Sequence, residues 1–211
     1  MKNILFDLDG TLTDSGEGIF HCAEITLAHF GLPIPSRQAL RFMVGPPLRD
    51  SFPQLGIRKQ DIEEAITVFR SHYNQVGIYE NAPYPGIREV LEKLKADGHV
   101  LCVATSKVET MAYVVLDHFD LTGCFDVICG SSAAENRITK GQVIAHLLTK
   151  LDRGLETVMV GDTVYDVEGA AEFGIPTVGV AWGYGITEDM RRAGAKAIAG
   201  DMAELYQYLQ A

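Results

Sequence analysis

An α/β fold built on a doubly wound parallel sheet is predicted by three observations. Beyond Pro85, short all-apolar runs alternate with helical patterns, as parallel strands covered on both faces do. A lone apolar run, Ile4-Leu5-Phe6, stands far upstream and must join that later sheet. Three runs also stop at a polar residue that a core would not hold: Phe6 runs into Asp7, Ala104 into Thr105 and Gly161 into Asp162. Ligands of open parallel sheets bind outside the carboxyl ends of the strands, so these three side chains are expected to converge on one crevice.

The first element is the strand inside KNILFDLDGTLTDS, residues 2–15. Its apolar run is too short for a helix, and alternation along an extended chain points Asp7 and Asp9 the same way. Gly10 then lets the chain turn. Two carboxylates this close repel unless a cation, a proton or a division of labour separates them. Read alone, they are equally well turn formers at a strand end. A calcium loop is excluded, because its sixth and twelfth positions need glycine and glutamate and here hold Leu12 and Gly18.

The pattern then turns helical for nearly seventy residues. Ile19, Ala23, Leu27 and Phe30 recur at spacings of four, four and three, and Gly31 with Pro33 ends that helix. Further helices are predicted over 37–44, 47–52 and 61–76, the last with Ile62, Ala65, Ile66 and Phe69 on one face. Asn81-Ala82-Pro83-Tyr84-Pro85-Gly86 is a hinge-like break. A helix over 87–96, closed by Gly98, leads to a strand over 100–104. Helix 108–118, strand 126–129, helix 141–150, strand 157–160, helix 164–173 and strand 177–180 follow. An edge strand over 195–199 and a closing helix over 202–209 complete the chain. The simplest account is a helical cap domain, residues 15–82, inserted into an α/β core domain formed by 1–14 and 83–211; one larger α/β domain is the alternative.

Composition narrows the functions. In 211 residues, 47% are hydrophobic and 22% charged, as in ordinary globular proteins. A formal net charge of −10 disfavours nucleic acid and anionic membrane surfaces. A small anionic substrate fits if a metal and a few cations reverse the field locally. No apolar run approaches a membrane span, and Asp7 and Asp9 interrupt any signal-peptide pattern. The four cysteines form no CxxC and are expected to be reduced, in a cytoplasmic protein. Gly183 and Gly185 make no dinucleotide site, because Glu188 stands where the third glycine belongs.

DLDGTLTDS resembles the first signature motif of the haloacid dehalogenase (HAD) superfamily, in its phosphatase branch, with Asp7, Asp9, Gly10, Thr11 and Asp14 in register. The resemblance implies a Rossmann-like core under a helical cap, with Asp7 as nucleophile forming an aspartyl-phosphate and Asp9 as acid/base. Dehalogenating members lack the second acid, which argues against carbon–halogen chemistry. ATSK resembles the second motif and implies that Thr105 and Ser106 bind phosphate; helix capping is the alternative. Lys140 in ITKGQVI resembles the third motif, the ammonium that offsets charge on Asp7, although Lys107 and Lys150 also lie near segment ends. GDTVYD resembles the fourth, with Asp162 and Asp166; helix N-terminal stabilisation fits them equally well.

Asp7, Asp9, Asp162 and Asp166 in one cleft call for a hard divalent cation, and oxygen-only ligands suit Mg2+. Arg49, which follows two prolines in VGPPLRDSF, is the expected substrate contact from the cap. The cap, the motif set and WGYG at 182–185 resemble the phosphoglycolate phosphatase-like subfamily. The expected function is Mg2+-dependent hydrolysis of small phosphate monoesters: phosphoglycolate-like, nucleotide or sugar phosphates. A phosphosugar mutase of the beta-phosphoglucomutase type is the alternative. A non-catalytic phosphoprotein binder is disfavoured, because the acids and the lysine are all retained.

Overall fold

A computed structural model describes residues 1–152 and 154–210. Its centre is a parallel sheet of six strands in the order β5-β4-β1-β6-β7-β8. These are β1 (Lys2–Phe6), β4 (Val100–Val108), β5 (Val127–Ser131), β6 (Glu156–Gly161), β7 (Thr177–Val180) and β8 (Ala197–Ala199); β2 (Thr13–Asp14) and β3 (Ala82–Pro83) form a separate antiparallel pair. The chain builds outward from β1 through β4 to β5, then crosses back to β6 on the other side. The switch point therefore lies between β1 and β6, where Phe6 pairs with Val160.

Alternation along the strands sorts side chains onto two faces. Ile4, Phe6, Leu101, Val103, Val158 and Val160 join one apolar cluster, and Leu5, Cys102, Ala104 and Met159 the other. The first face is covered by α5 (Ile87–Ala96), α6 (Glu109–His118) and α10 (Met202–Gln210) through Leu91, Leu116 and Leu205. The second is covered by α7 (Lys140–Leu148) and α8 (Val164–Ala171) through Val143, Ile144, Leu147 and Ala170. Strands buried on both sides need continuous apolar runs, which is why periodicity located them.

Between β2 and β3 the chain is helical: α1 (Gly16–His29), α2 (Arg37–Leu40), α3 (Leu48–Ser51) and α4 (Ile62–His72), with α4 prolonged by a π-helical turn over Tyr73–Gly77. Their apolar faces join the first cluster, so Leu27, Phe52 and Phe69 share one buried network with Leu8, Leu12 and Leu91. Thr13 pairs with Pro83 and Asp14 with Ala82, so the helical stretch leaves and rejoins the core at one place.

Three local features depart from the expectations. The strand predicted to end at Ala104 runs on to Val108, with its register broken between those two residues. A short helix, α9 (Thr187–Arg192), was not predicted, because only Met190 of its six residues is buried and one apolar residue makes no period. The β2–β3 pair was also missed, since two-residue strands carry no alternation. All four cysteines carry free thiols. Among the described residues no helix is long and apolar enough to cross a membrane.

Candidate active site

Asp7 follows β1 directly, and its N–H donates to the Val160 carbonyl at 2.9 Å, extending the β1–β6 ladder by one residue. The chain then coils tightly: the Leu8 carbonyl accepts from the N–H groups of Thr11, Leu12 and Thr13. Gly10 is required twice in this coil. Its φ of +88° lies in the left-handed region, and a Cβ there would lie 2.3 Å from Asp162 Oδ2.

Asp162 follows β6 and is fully buried. Tyr184 N–H donates to its Oδ2 at 2.8 Å and Thr11 Oγ1 to its Oδ1 at 3.1 Å. Asp166, one turn on, divides its oxygens between two tasks. Oδ2 accepts from Thr163 N–H at 3.0 Å and Thr163 Oγ1 at 2.9 Å, closing a capping box on α8, while Oδ1 lies 2.8 Å from Lys140 Nζ. Helix stabilisation and site formation are thus one residue's work. Asp7, Asp162 and Asp166 each offer an oxygen within 4.8 Å of the others.

Lys140, the first residue of α7, lies between two of these acids. Its Nζ is 2.8 Å from Asp7 Oδ1 as well as from Asp166 Oδ1, and it donates to the Ala104 carbonyl at 2.9 Å. Burial works against its charge, but Asp166 and Asp7 outweigh that and hold its pKa above the ordinary lysine value. One ammonium does not neutralise three buried carboxylates. Burial raises Asp7 to about 6 in spite of Lys140, with Asp166 adding to the rise. Burial, Asp166 and Asp7 together raise Asp162 to about 8, against the opposing hydrogen bonds from Tyr184 and Thr11.

Asp9 has different company. Both of its oxygens accept from Lys107 Nζ, at 3.0 and 2.8 Å, and the same ammonium donates to the Tyr73 hydroxyl at 2.6 Å. Asp9 does not belong to the group of acids near enough to share an ion, so its predicted place among side-chain metal ligands is not supported by its contacts. Lys107 stands in the ATSK string, and its position near a segment end was the one signal for it. It reaches the site because β4 continues past Ala104 with a broken register, which re-aims the side chains of the following residues. Nothing in the sequence marked Tyr73.

Thr105 is buried, and its hydroxyl accepts from Lys107 N–H at 3.2 Å. It does not cap α6, whose N-cap is Val108. Ser106, beside it, is half-buried. Arg49 is not brought to these residues: its side chain is 60% exposed and pairs with Glu63 on α4, Nη2 donating to Oε2 at 2.9 Å. Arg41 reaches the loop beside Asp162 instead. Its guanidinium donates to the Gly183 carbonyl at 2.8 Å and lies 4.7 Å from the centre of the Tyr184 ring, on the loop whose N–H holds Asp162. Tyr184 also hydrogen-bonds Asp14 through its hydroxyl.

The donor set suits a hard cation. Its three carboxylates supply oxygens only, and two of them, through Asp7 Oδ1 and Asp166 Oδ1, share the single ammonium of Lys140 at 2.8 Å.

The family model described as Haloacid dehalogenase-like hydrolase matches residues 4–180. Tyrosine-protein kinase PtkA of Mycobacterium tuberculosis is 43% identical over 183 residues, 86% of this chain and 62% of that protein, so the chain spans under two thirds of this relative's length. A 5'-nucleotidase of Pseudomonas aeruginosa is 38% identical over 210 residues, covering 99% of this chain and 95% of that one. A phosphoglycolate phosphatase of Aquifex aeolicus is 34% identical over 185 residues, 87% of this chain and 86% of that one. Among solved structures, a predicted phosphatase from Clostridium acetobutylicum superposes with a TM-score of 0.93 at 37% identity, covering 99% of this chain and 98% of that one.

Proposed function

The chain belongs to the haloacid dehalogenase-like hydrolases, and from that premise we propose that it hydrolyses small phosphate monoesters with Mg2+, through an aspartyl-phosphate on Asp7. The observation that carries the reading is that two carboxylates two residues apart are held by different lysines, Asp7 by Lys140 and Asp9 by Lys107. Such a separation gives one acid the nucleophile's task and the other the proton's.

In this reading Asp7 attacks phosphorus as the bond to the leaving oxygen breaks, and Asp9 gives that oxygen its proton. Asp9, now the base, takes a proton from water as the water attacks phosphorus. The bond to Asp7 breaks, and phosphate leaves. Lys140 keeps Asp7 ionised and meets the negative charge gathering on the transferred group, and Thr105 and Ser106 offer hydroxyls to its oxygens. Asp7, Asp162 and Asp166 are the side chains suited to hold Mg2+, which when bound offsets charge on the phosphoryl oxygens. Residues 15–82 act as the cap over a core of 1–14 and 83–211. Substrates in the range of phosphoglycolate, nucleotides and sugar phosphates agree with the names of the Pseudomonas and Aquifex relatives.

A panel of such esters, assayed for phosphate release with and without Mg2+, tests the proposal. Asp7→Asn should lower turnover by a factor of about 10³ or more, as loss of a catalytic nucleophile does. Unchanged turnover in that variant would remove Asp7 from the mechanism. A sugar phosphate isomerised without phosphate release would point to a mutase. Label passing from ATP to a protein tyrosine would align the chain with the activity named for its mycobacterial relative.

A further inference from the structure

Lys107 uses every hydrogen it has. A lysine ammonium carries three donors and no acceptor; two are given to Asp9 and the third to the Tyr73 hydroxyl. The phenol oxygen therefore accepts, and burial pushes its own pKa above the ordinary value, so it stays a neutral hydroxyl. The Lys107 and Asp9 side chains are only 8% and 11% exposed, which leaves little water to replace a lost partner.

Tyr73 belongs neither to the coil after β1 that carries Asp9 nor to β4, which carries Lys107. It lies on the helical stretch between β2 and β3, 34 residues before Lys107. It also opens the π-helical turn: Ile78 N–H donates to the Tyr73 carbonyl at 2.8 Å, a bond from residue i+5. Such widened turns are frequent at functional sites. The ring is fixed by stacking on Phe69, with centroids 5.6 Å apart and 21° between planes. A rigid ring thus presents one hydroxyl to a flexible lysine stem, and the ion pair it completes holds the acid/base.

We propose that Tyr73 is a positioning residue: through Lys107 it orients Asp9 toward the leaving oxygen, and it does so only while the helical stretch is seated on the core. The inference rests on the hydrolase reading above. It makes docking of the helices and placement of the acid a single event, so an ester is protonated only after it has been enclosed.

Leaving-group dependence separates this role from a merely structural one. The phenolate of p-nitrophenyl phosphate departs with little need of a proton, whereas that of phenyl phosphate benefits from one. Tyr73→Phe, which keeps the ring on Phe69, should lower kcat/KM about tenfold for phenyl phosphate and less than about threefold for p-nitrophenyl phosphate, a part of the roughly 10²–10⁴-fold that a positioned general acid contributes. Lys107→Met should show the same bias, and the double variant should lose no more than Lys107→Met alone, because both changes act through one link. Equal losses on the two esters, additive losses or no loss would overturn the proposal; a lowered melting temperature with equal losses would mark Tyr73 as structural only. If the wild type releases phosphate with Mg2+ neither from these two esters nor from the panel above, the hydrolase reading fails and takes this proposal with it. If Asp9→Asn shows the bias and Tyr73→Phe does not, only the role of Tyr73 falls.

Discussion

Asp7 and Asp9 are neighbours in sequence that the structure gives opposite surroundings. The first is buried with two other acids and one lysine, the second is paired with a lysine of its own. Motif strings made Asp7, Asp9, Lys140, Asp162 and Asp166 legible, because each is a charged residue interrupting an apolar run or opening a helix. Lys107 and Arg41 were less legible, since a lysine or arginine in a sequence is by default a solvated one. The arginines make a direct test. Arg49 forms an exposed pair with Glu63, and such pairs contribute about 0–1 kcal/mol, so Arg49→Ala should change kcat/KM by less than about threefold. Arg41 braces the loop that holds Asp162, and losing a hydrogen bond to a charged group costs about 1.5–3 kcal/mol. Arg41→Ala should therefore lower kcat/KM by about tenfold or more across an ester panel. The reverse ranking would return the substrate contact to Arg49.

At the scale of elements, glycines set how closely the site's loops approach. A Cβ on Gly183 would lie 2.3 Å from Asp162 Cβ, and one on Gly161 would lie 2.3 Å from Asp166 Cγ. Gly183→Ala must therefore displace Asp162 or its own loop. Overpacking of this kind costs about 1–3 kcal/mol, and misplacement by about 1 Å can cost about 10²-fold in rate. Gly183→Ala should lower turnover by at least about tenfold with a modest fall in melting temperature, both measurable on one preparation. Wild-type turnover would show that the loop yields freely. Close approach explains what the sequence hid at this scale. The strands and long helices were readable because burial imposes a period on them, as Ile87, Val90, Leu91 and Leu94 show. The broken register of β4 against β5 and the pairing of the two-residue strands β2 and β3 are set by partners distant in the chain, and leave no period behind.

For the whole molecule, the acid cluster couples folding to pH and to metal. Asp7 is raised from 3.8 to about 6 and Asp162 from 3.8 to about 8, so without a bound cation the folded chain holds more protons than the unfolded one between these limits. Their contribution to stability is present at the acid end and is lost as pH climbs through about 6 and then about 8. A cation competes with those protons and stabilises by mass action. The rise in melting temperature on adding Mg2+ should therefore be larger at pH 8 than at pH 5.5. A larger rise at the lower pH would place metal binding elsewhere.

Thr13 and Asp14 lie against Pro83 and Ala82, so the outgoing and returning chain are spliced at one point on the rim of the sheet. Whatever lies beyond the splice can grow, shrink or be swapped without changing the gap the core must bridge. In the proposed hydrolase the helices can then be refitted to other esters while Asp7, Asp162 and Asp166 keep their places, provided that Tyr73 still meets Lys107.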